Sequence, residues 1–576
     1  MPVELQSARN NLTLKKLVTP TVLTLIQMNI LQKQFKLSNM NRHWIIGYLL
    51  VVCAHLSHQR STLDATTYVA AVVEYPSKYL TNISETLKVN SDAYVRLITK
   101  AGHLYKADII VFPEDGLTST HLPEREEMED WTTIIPSASD NYTPCTQNTV
   151  EVSEALKKIS CAASDNEIYV VINIAEKAAC NSTPCPKDKI FYYNSNVVFD
   201  RTGKIIARYR KVNLFATEPQ FNVTPIPEVV TFDTDFGVKF GTFICFDILF
   251  REPALQLTRE HKVTDIVYPT AWYSEAPFLT AVQTQAGWSF AEDVNLLASG
   301  YNRPDVGNVG SGIYLGRKGD GIAIMPNTIH EEILIFNVPK IKKKSRYEKN
   351  RSHSKKDELK AESYHNGKEY IHEELRKKQK NNITYNDKIF LLHEDIYAFE
   401  TVSLKERSFT GIIQTVCQND FCCEFTVEIT KVDPNTKYRL VVFNGIRRYV
   451  AVKAKVRVCG IVQCSSDSIL SCGSVQESNT VFSNIEIVAK FHNYKNNLIM
   501  PSTLGSDLLP LKDWTFNEYT HDNNINVNMF LNNDTNNLVT FGIYSRDFNT
   551  NTETRTYFYI IVYIVALLLT FLFKLH

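Results

Sequence analysis

Three short segments of this chain carry residue types that could do chemistry together. The first, Ile109-Ile110-Val111-Phe112-Pro113-Glu114-Asp115-Gly116, is an apolar run stopped by proline just before a carboxylate. The second, Ala207-Arg208-Tyr209-Arg210-Lys211-Val212-Asn213-Leu214-Phe215, interleaves basic and apolar residues around Lys211. The third, Phe240-Gly241-Thr242-Phe243-Ile244-Cys245-Phe246-Asp247-Ile248, is an apolar run that reaches a single cysteine and then an acidic residue. Taken alone, each has an ordinary reading: a carboxylate in a surface turn, a solvated lysine, an inert core thiol. Taken together they could supply a base, a fixed cation and a nucleophile. A helix beginning just after Cys245 would favour its thiolate.

Cysteine arithmetic sets Cys245 apart. Of twelve cysteines, Cys53 lies in an N-terminal apolar run, four lie at 145, 161, 180 and 185, and six lie at 417, 422, 423, 459, 464 and 472. Without Cys53 and Cys245, two even sets remain, which suits disulfides in an oxidising compartment. A zinc reading of the C-terminal six is disfavoured, because no histidine stands near them at ligand spacing.

The elements that must position these residues alternate between strand-like and helix-like patterns from residue 64 to 335. Strands are predicted over Thr67–Glu74, Ala107–Phe112, Ile168–Ala175, Phe191–Phe199, Lys204–Val212, Val238–Phe246 and Ile266–Tyr268. Helices are predicted over Ser91–Lys106, Thr149–Asn166, Arg251–His261 and Pro277–Ala291. Asp200-Arg201-Thr202-Gly203 reads as a hairpin turn. Strands and helices mixed with hairpins indicate a layered α/β domain, and such domains place reactive groups at strand ends. Residues 336–384 are dense in charge and read as a solvated insertion or linker. Residues 385–545 carry short alternating Val, Ile, Tyr and Phe runs and six cysteines, the pattern of a mostly β, disulfide-braced accessory domain.

Length and composition bound the rest. A chain of 576 residues is too long for one core. Lys+Arg and Asp+Glu balance at 62 each, so no global charge points to nucleic acid. Trp44–Leu56 has the shape of a signal-peptide core, and Met40 would make a better start for it, leaving 1–39 as a doubtful extension and 40–63 as the signal. The apolar run Tyr557–Phe573, within 546–576, reads as a lipid-anchor signal, with a single transmembrane helix as the competing reading. Asn82, Asn141, Asn181, Asn222, Asn382 and Asn533 head Asn-X-Ser/Thr acceptors, in keeping with export. The chain is thus expected outside the cell, at its surface through a C-terminal anchor, or else single-pass or secreted.

The three segments together resemble the nitrilase superfamily of carbon-nitrogen hydrolases, whose Glu-Lys-Cys order matches Glu114, Lys211 and Cys245. Gly241 to Phe250 resembles the nucleophile segment of its vanin and biotinidase branch, as do Tyr268-Pro269-Thr270-Ala271-Trp272, Val294-Asn295-Leu296-Leu297 and Gly310-Ser311-Gly312-Ile313-Tyr314. Val416-Cys417-Gln418, Phe421-Cys422-Cys423 and the Cys459, Cys464 and Cys472 cluster resemble that branch's C-terminal base domain. The N-terminal extension and the basic insertion depart from the pattern.

This resemblance implies a nitrilase-type α-β-β-α sandwich with a mostly β base domain. It implies hydrolysis of a linear amide by Cys245, with Glu114 as general base, Lys211 as oxyanion cation, and no metal or organic cofactor. Glu218 is the candidate second glutamate beside the lysine. The N–H of Phe246 is a candidate oxyanion donor, and Asp247, Trp272 and Tyr273 are candidate pocket residues. The vanin-like pattern favours pantetheine, cleaved to pantothenate and cysteamine. Biocytin is the alternative substrate, and a tethered adhesion protein that kept the fold without activity is the alternative of another class. Monomer and homodimer both stay open.

Overall fold

The computed structural model describes residues 60–181, 184–215, 218–341, 389–404, 411–449, 452–492, 496–521 and 523–548. The expected extension 1–39, most of the signal segment, the insertion from 342 onward, Asn382 and the apolar tail lie outside these residues. Among the described residues, no helix is long and apolar enough to cross a membrane.

Thirteen strands among the described residues build the N-terminal half, the catalytic half that the resemblance implies. They are β1 (Thr67–Glu74), β2 (Ile109–Val111), β3 (Tyr169–Ala179), β4 (Ile190–Phe199), β5 (Ile205–Arg210), β6 (Val230–Asp233), β7 (Lys239–Thr242), β8 (Asp265–Thr270), β9 (Glu275–Ala276), β10 (Asn295–Gly300), β11 (Ser311–Leu315), β12 (Asp320–Ile324) and β13 (Glu332–Pro339). Two six-stranded mixed sheets result, in the orders β13-β1-β2-β3-β4-β5 and β12-β11-β10-β8-β7-β6.

Side-chain alternation along each strand decides the layers. On β1, Ala71 and Val73 face the helices Ile83–His103 and Glu154–Asn166, while Tyr68, Ala70 and Val72 face the second sheet. On β8 and β10 the alternation continues. Val267 and Leu297 join the layer between the sheets, and Ile266, Tyr268, Leu296 and Ala298 pack outward with the helix Ala281–Glu292. The result is the α-β-β-α sandwich that the resemblance implied.

Several element ends differ from the sequence reading, each for a local reason. The first helix begins at Ile83 rather than Ser91, because the Asn82 side chain caps it by accepting from Glu85 N. The strand before Cys245 stops at Thr242 rather than Phe246, because Cys245 turns to φ +44° and opens a short 3₁₀ helix, Cys245–Leu249. β13 runs to Pro339, past the expected domain end at 335, because it pairs with β1 along its whole length. The hairpin at 200–203 forms as expected, and Gly203 sits there at φ +78° with the Ser160 carbonyl where a Cβ would be.

The C-terminal half begins with β14 (Leu392–His393), which pairs in parallel with β9. It continues through β15 (Glu400–Ser403), β16 (Ile412–Gln418), β17 (Phe421–Lys431), β18 (Lys437–Tyr449), β19 (Val452–Cys464), β20 (Val481–His492), β21 (Asn497–Gly505), β22 (Trp514–His521), β23 (Asn524–Leu531) and β24 (Leu538–Asp547). These make two five-stranded sheets, β15-β18-β19-β24-β21 and β16-β17-β20-β23-β22. Disulfides Cys145–Cys161 and Cys180–Cys185 brace the first half, and Cys417–Cys422, Cys423–Cys459 and Cys464–Cys472 brace the second.

The C-terminal half is mostly strands and disulfide-braced, as expected, and it packs directly against the first half. On β19, Cys459 and Ile461 face the β sandwich, while Val456, Val458 and Val462 face the catalytic half and share its outer core. Both faces of that sheet are therefore buried. The helix Ala281–Glu292 lies directly on β21, so closely that a Cβ on Gly287 would stand 2.2 Å from the Pro501 carbonyl oxygen.

Candidate active site

Strand ends from both sheets converge on one cleft. Glu114 follows β2, Lys211 follows β5, Cys245 follows β7 and Ala271 follows β8, and all four line the same cleft. Glu114 and Lys211 are only 2% and 1% exposed, so neither keeps the solvated surface role that each has when taken alone.

The Lys211 ammonium donates to Glu114 Oε1 at 2.6 Å and also to Glu218 Oε2. Glu114 is fixed further by Asn194 Nδ2 at 2.9 Å and by the Ala271 N–H, which donates to Oε2 at 2.9 Å. Glu218 accepts from Asn194 Nδ2 at 2.6 Å and from Phe215 N at 2.8 Å. One lysine and one asparagine amide therefore bridge both glutamates. Burial works against the ammonium, but Glu114 and Glu218 outweigh it and hold Lys211 well above the ordinary lysine value. Burial raises Glu218 while Lys211 lowers it, and burial is the larger effect. Beside them Asp115 is pushed above the ordinary carboxylate range by burial and then by Glu114.

Cys245 is the free cysteine among the described residues. It sits in the left-handed region, on the sharp turn between β7 and the 3₁₀ helix, a conformation that surrounding structure must hold in place. Tyr268 Oη donates to its carbonyl at 2.8 Å. The expected help from a helix N-terminus does not materialise. Only a five-residue turn follows, and burial, then the Glu114 charge, push the thiol well above its usual value against Lys211 and the Thr270 hydroxyl. A buried neutral thiol beside a carboxylate calls for proton transfer at the moment of attack rather than a standing thiolate.

The other candidates divide. Phe246, Trp272 and Tyr273 line the cleft, with Trp272 Nε1 donating to the Leu279 carbonyl at 2.9 Å. The N–H of Phe246 is second in its 3₁₀ turn and so has no acceptor within it. Asp247 does not line the cleft. It is fully buried behind Cys245 and accepts from Tyr209 Oη, Ile244 N, Asn213 N and Asn213 Nδ2, which makes it a positioning residue for the turn. Of the glycan acceptors, Asn82, Asn141, Asn181 and Asn533 are exposed. Asn222 is half-buried, its Oδ1 accepting from Arg125 and from Tyr192 N.

The sequence reading missed Asn194, Phe215, Gln220, Phe221 and Tyr449. A signal for the first existed: Asn194-Ser195-Asn196 are three polar residues inside the otherwise apolar β4, and all three are buried. Asn173 Nδ2 donates to Asn194 Oδ1 at 2.6 Å, so the asparagines form a chain behind the glutamates.

Comparison with known proteins places this geometry among relatives. The carbon-nitrogen hydrolase family model matches residues 69–286, and the vanin C-terminal domain model matches residues 389–551. Vanin-like protein 1 of Drosophila melanogaster is 36% identical over 88% of this chain and 90% of its own length. Pantetheinase of Homo sapiens is 32% identical over 77% of this chain and 82% of its own. An amidase from Nesterenkonia sp. of known structure aligns at 15% identity and a TM-score of 0.35, covering 48% of this chain and 92% of its own.

Proposed function

The chain belongs to the carbon-nitrogen hydrolase family, in its vanin branch, and is an amide hydrolase; on that footing we propose that it cleaves pantetheine to pantothenate and cysteamine through a thioester on Cys245. The observation that carries the reaction is the Glu114–Lys211 pair, 2.6 Å apart and buried in the cleft that also holds the free Cys245.

Glu114 takes the thiol proton as Cys245 Sγ attacks the amide carbon. The carbonyl oxygen becomes an oxyanion, stabilised by Lys211 Nζ and the Phe246 N–H. Glu114 returns the proton to the nitrogen as the C–N bond breaks, and cysteamine leaves. The thioester remains. Glu114 then takes a proton from water as its oxygen adds to the thioester, and on collapse Glu114 returns that proton to Cys245 Sγ while the released acid ionises to pantothenate. Glu218 and Asn194 hold Lys211 and Glu114 in register throughout.

The pantetheinases among the relatives support the substrate. Five disulfides among the described residues support an exported enzyme. The test is release of free cysteamine from pantetheine by wild type and by Cys245→Ala, with mass spectrometry of the quenched protein for the acyl adduct. Release and adduct in wild type alone support the reading. No release from a folded wild type whose Cys245 still alkylates sinks the substrate, and biocytin is assayed next.

A further inference from the structure

The C-terminal half reaches the cleft with Leu392 and with Tyr449, an aromatic ring at the end of β18. On β18, Leu440 and Val442 face the β sandwich, while Val441, Phe443 and Tyr449 face the catalytic half. The Tyr449 ring meets the Phe246 ring edge-on with centroids 5.6 Å apart, one residue from the nucleophile. Arg447 lies 4.6 Å from the centre of the same ring and Arg546 lies 5.7 Å from it, while the hydroxyl bonds that of Tyr544.

Arg447 fastens this corner. Its guanidinium is 8% exposed and pairs with Glu275 at 2.6 Å and Glu394 at 3.1 Å, and it donates to Tyr544 Oη at 3.2 Å. Glu275 lines the cleft, and so does Leu392, its partner in the short β9–β14 pair. One wall of the cleft is therefore assembled from three chain segments and held by one cation. Nothing in the bond-breaking steps uses these residues, yet they close the space that a long substrate must fill. Contacts to parts of a substrate remote from the reacting bond are where an amide hydrolase gains selectivity.

We propose that Tyr449 is a specificity-determining residue, the wall against which the remote portion of the substrate packs, and that Arg447 is the positioning residue that holds it there. The proposal rests on Cys245 being the nucleophile. The C-terminal half is then part of the substrate site.

The test uses the full chain as wild type, Tyr449→Ala, Tyr449→Leu and Arg447→Met. Cys245 is alkylated in parallel with iodoacetamide, which is small, and with its bulky N-phenyl analogue, and the ratio of the two rates is taken. Tyr449→Ala opens the wall and raises the bulky-to-small ratio at least fivefold. Arg447→Met raises it less, and Tyr449→Leu, which keeps an apolar wall, less still. With pantetheine, Tyr449→Ala raises KM about tenfold while kcat falls less than threefold, a split that general loosening of the fold would not give. A folded Tyr449→Ala with an unchanged alkylation ratio overturns the proposal. If Tyr449→Ala does not fold, an unchanged ratio in Arg447→Met overturns it instead. Failure of wild type to cleave pantetheine, with Cys245 still alkylated, tells against the substrate, while the alkylation ratio still judges the wall.

Discussion

The Tyr209 hydroxyl donates to the Asp247 carboxylate at 2.7 Å, joining the strand that delivers Lys211 to the turn that delivers Cys245. Asp247 also accepts from Ile244 N at 3.0 Å and Asn213 N at 2.9 Å, so one buried carboxylate sets the turn and its spacing from the lysine strand. Every group facing it is a donor. Asp247→Asn would turn an amide N–H₂ toward those donors and displace Cys245. The expected result is a fall in kcat of roughly 100-fold with KM changed only a few-fold. Cysteamine release measures the first, and slower iodoacetamide alkylation of Cys245 shows that the cause is placement of the thiol.

Lys211→Met should cost stability as well as activity. It leaves Glu114 and Glu218 buried side by side with no cation between them, and breaking a buried pair in this way costs about 3–5 kcal/mol. Thermal unfolding should show a clearly lowered midpoint. Adding Glu218→Gln removes one of the stranded charges, so the double variant should regain part of the midpoint and none of the activity. A midpoint in Lys211→Met equal to wild type would mean that the triad charges are not coupled to folding.

Glu74 makes stability depend on pH. It is fully buried at the end of β1, accepting from Gly310 N and Asn302 Nδ2 and bonded to the Ser311 hydroxyl, and burial pushes its pKa up to about 8. A carboxyl raised in the folded state stabilises that state fully below its unfolded value of about 4.5, and the contribution is lost as pH rises through 8. The shift is worth about 5 kcal/mol at most. The wild-type unfolding midpoint should therefore fall between pH 5 and 9, and Glu74→Gln should flatten that fall. Parallel curves for the two proteins would exclude Glu74 as the source.

The two halves should unfold together. Cys423–Cys459 joins the two C-terminal sheets across 36 residues of sequence, a crosslink worth about 4 kcal/mol by loop closure. Because β19 packs against the catalytic half with its other face, loss of that crosslink should lower the temperature of inactivation as well as that of C-terminal unfolding. Calorimetry and residual activity of Cys423→Ala/Cys459→Ala, scanned together, should give one transition. Activity that survives a separate C-terminal transition would show the halves to be independent.

Much of the molecule was legible before any coordinates. The apolar runs ending at Glu114 and Cys245, the basic and apolar interleaving around Lys211, the even cysteine sets and the alternation of β1 all depend on local order, and local order is what a sequence displays. Helix and strand ends slipped where a single side chain or dihedral decided them, as Asn82 did for the first helix and the +44° φ of Cys245 did for β7.

The sequence by itself determined which residues are the candidates for the chemistry and which strand faces are apolar. The tertiary structure alone decided what covers those faces and who stands beside whom. Asn194 reaches Glu114 across 80 residues, and Asp247 turns away from the cleft because four donors surround it behind the elbow. Tyr449 belongs to the cleft only because its sheet is buried on both faces, one by its own sandwich and the other by the catalytic half. Periodicity marks a buried face but carries no information on the partner that buries it, since hydrophobic contact is non-directional and the partner is chosen by the shape of the whole fold.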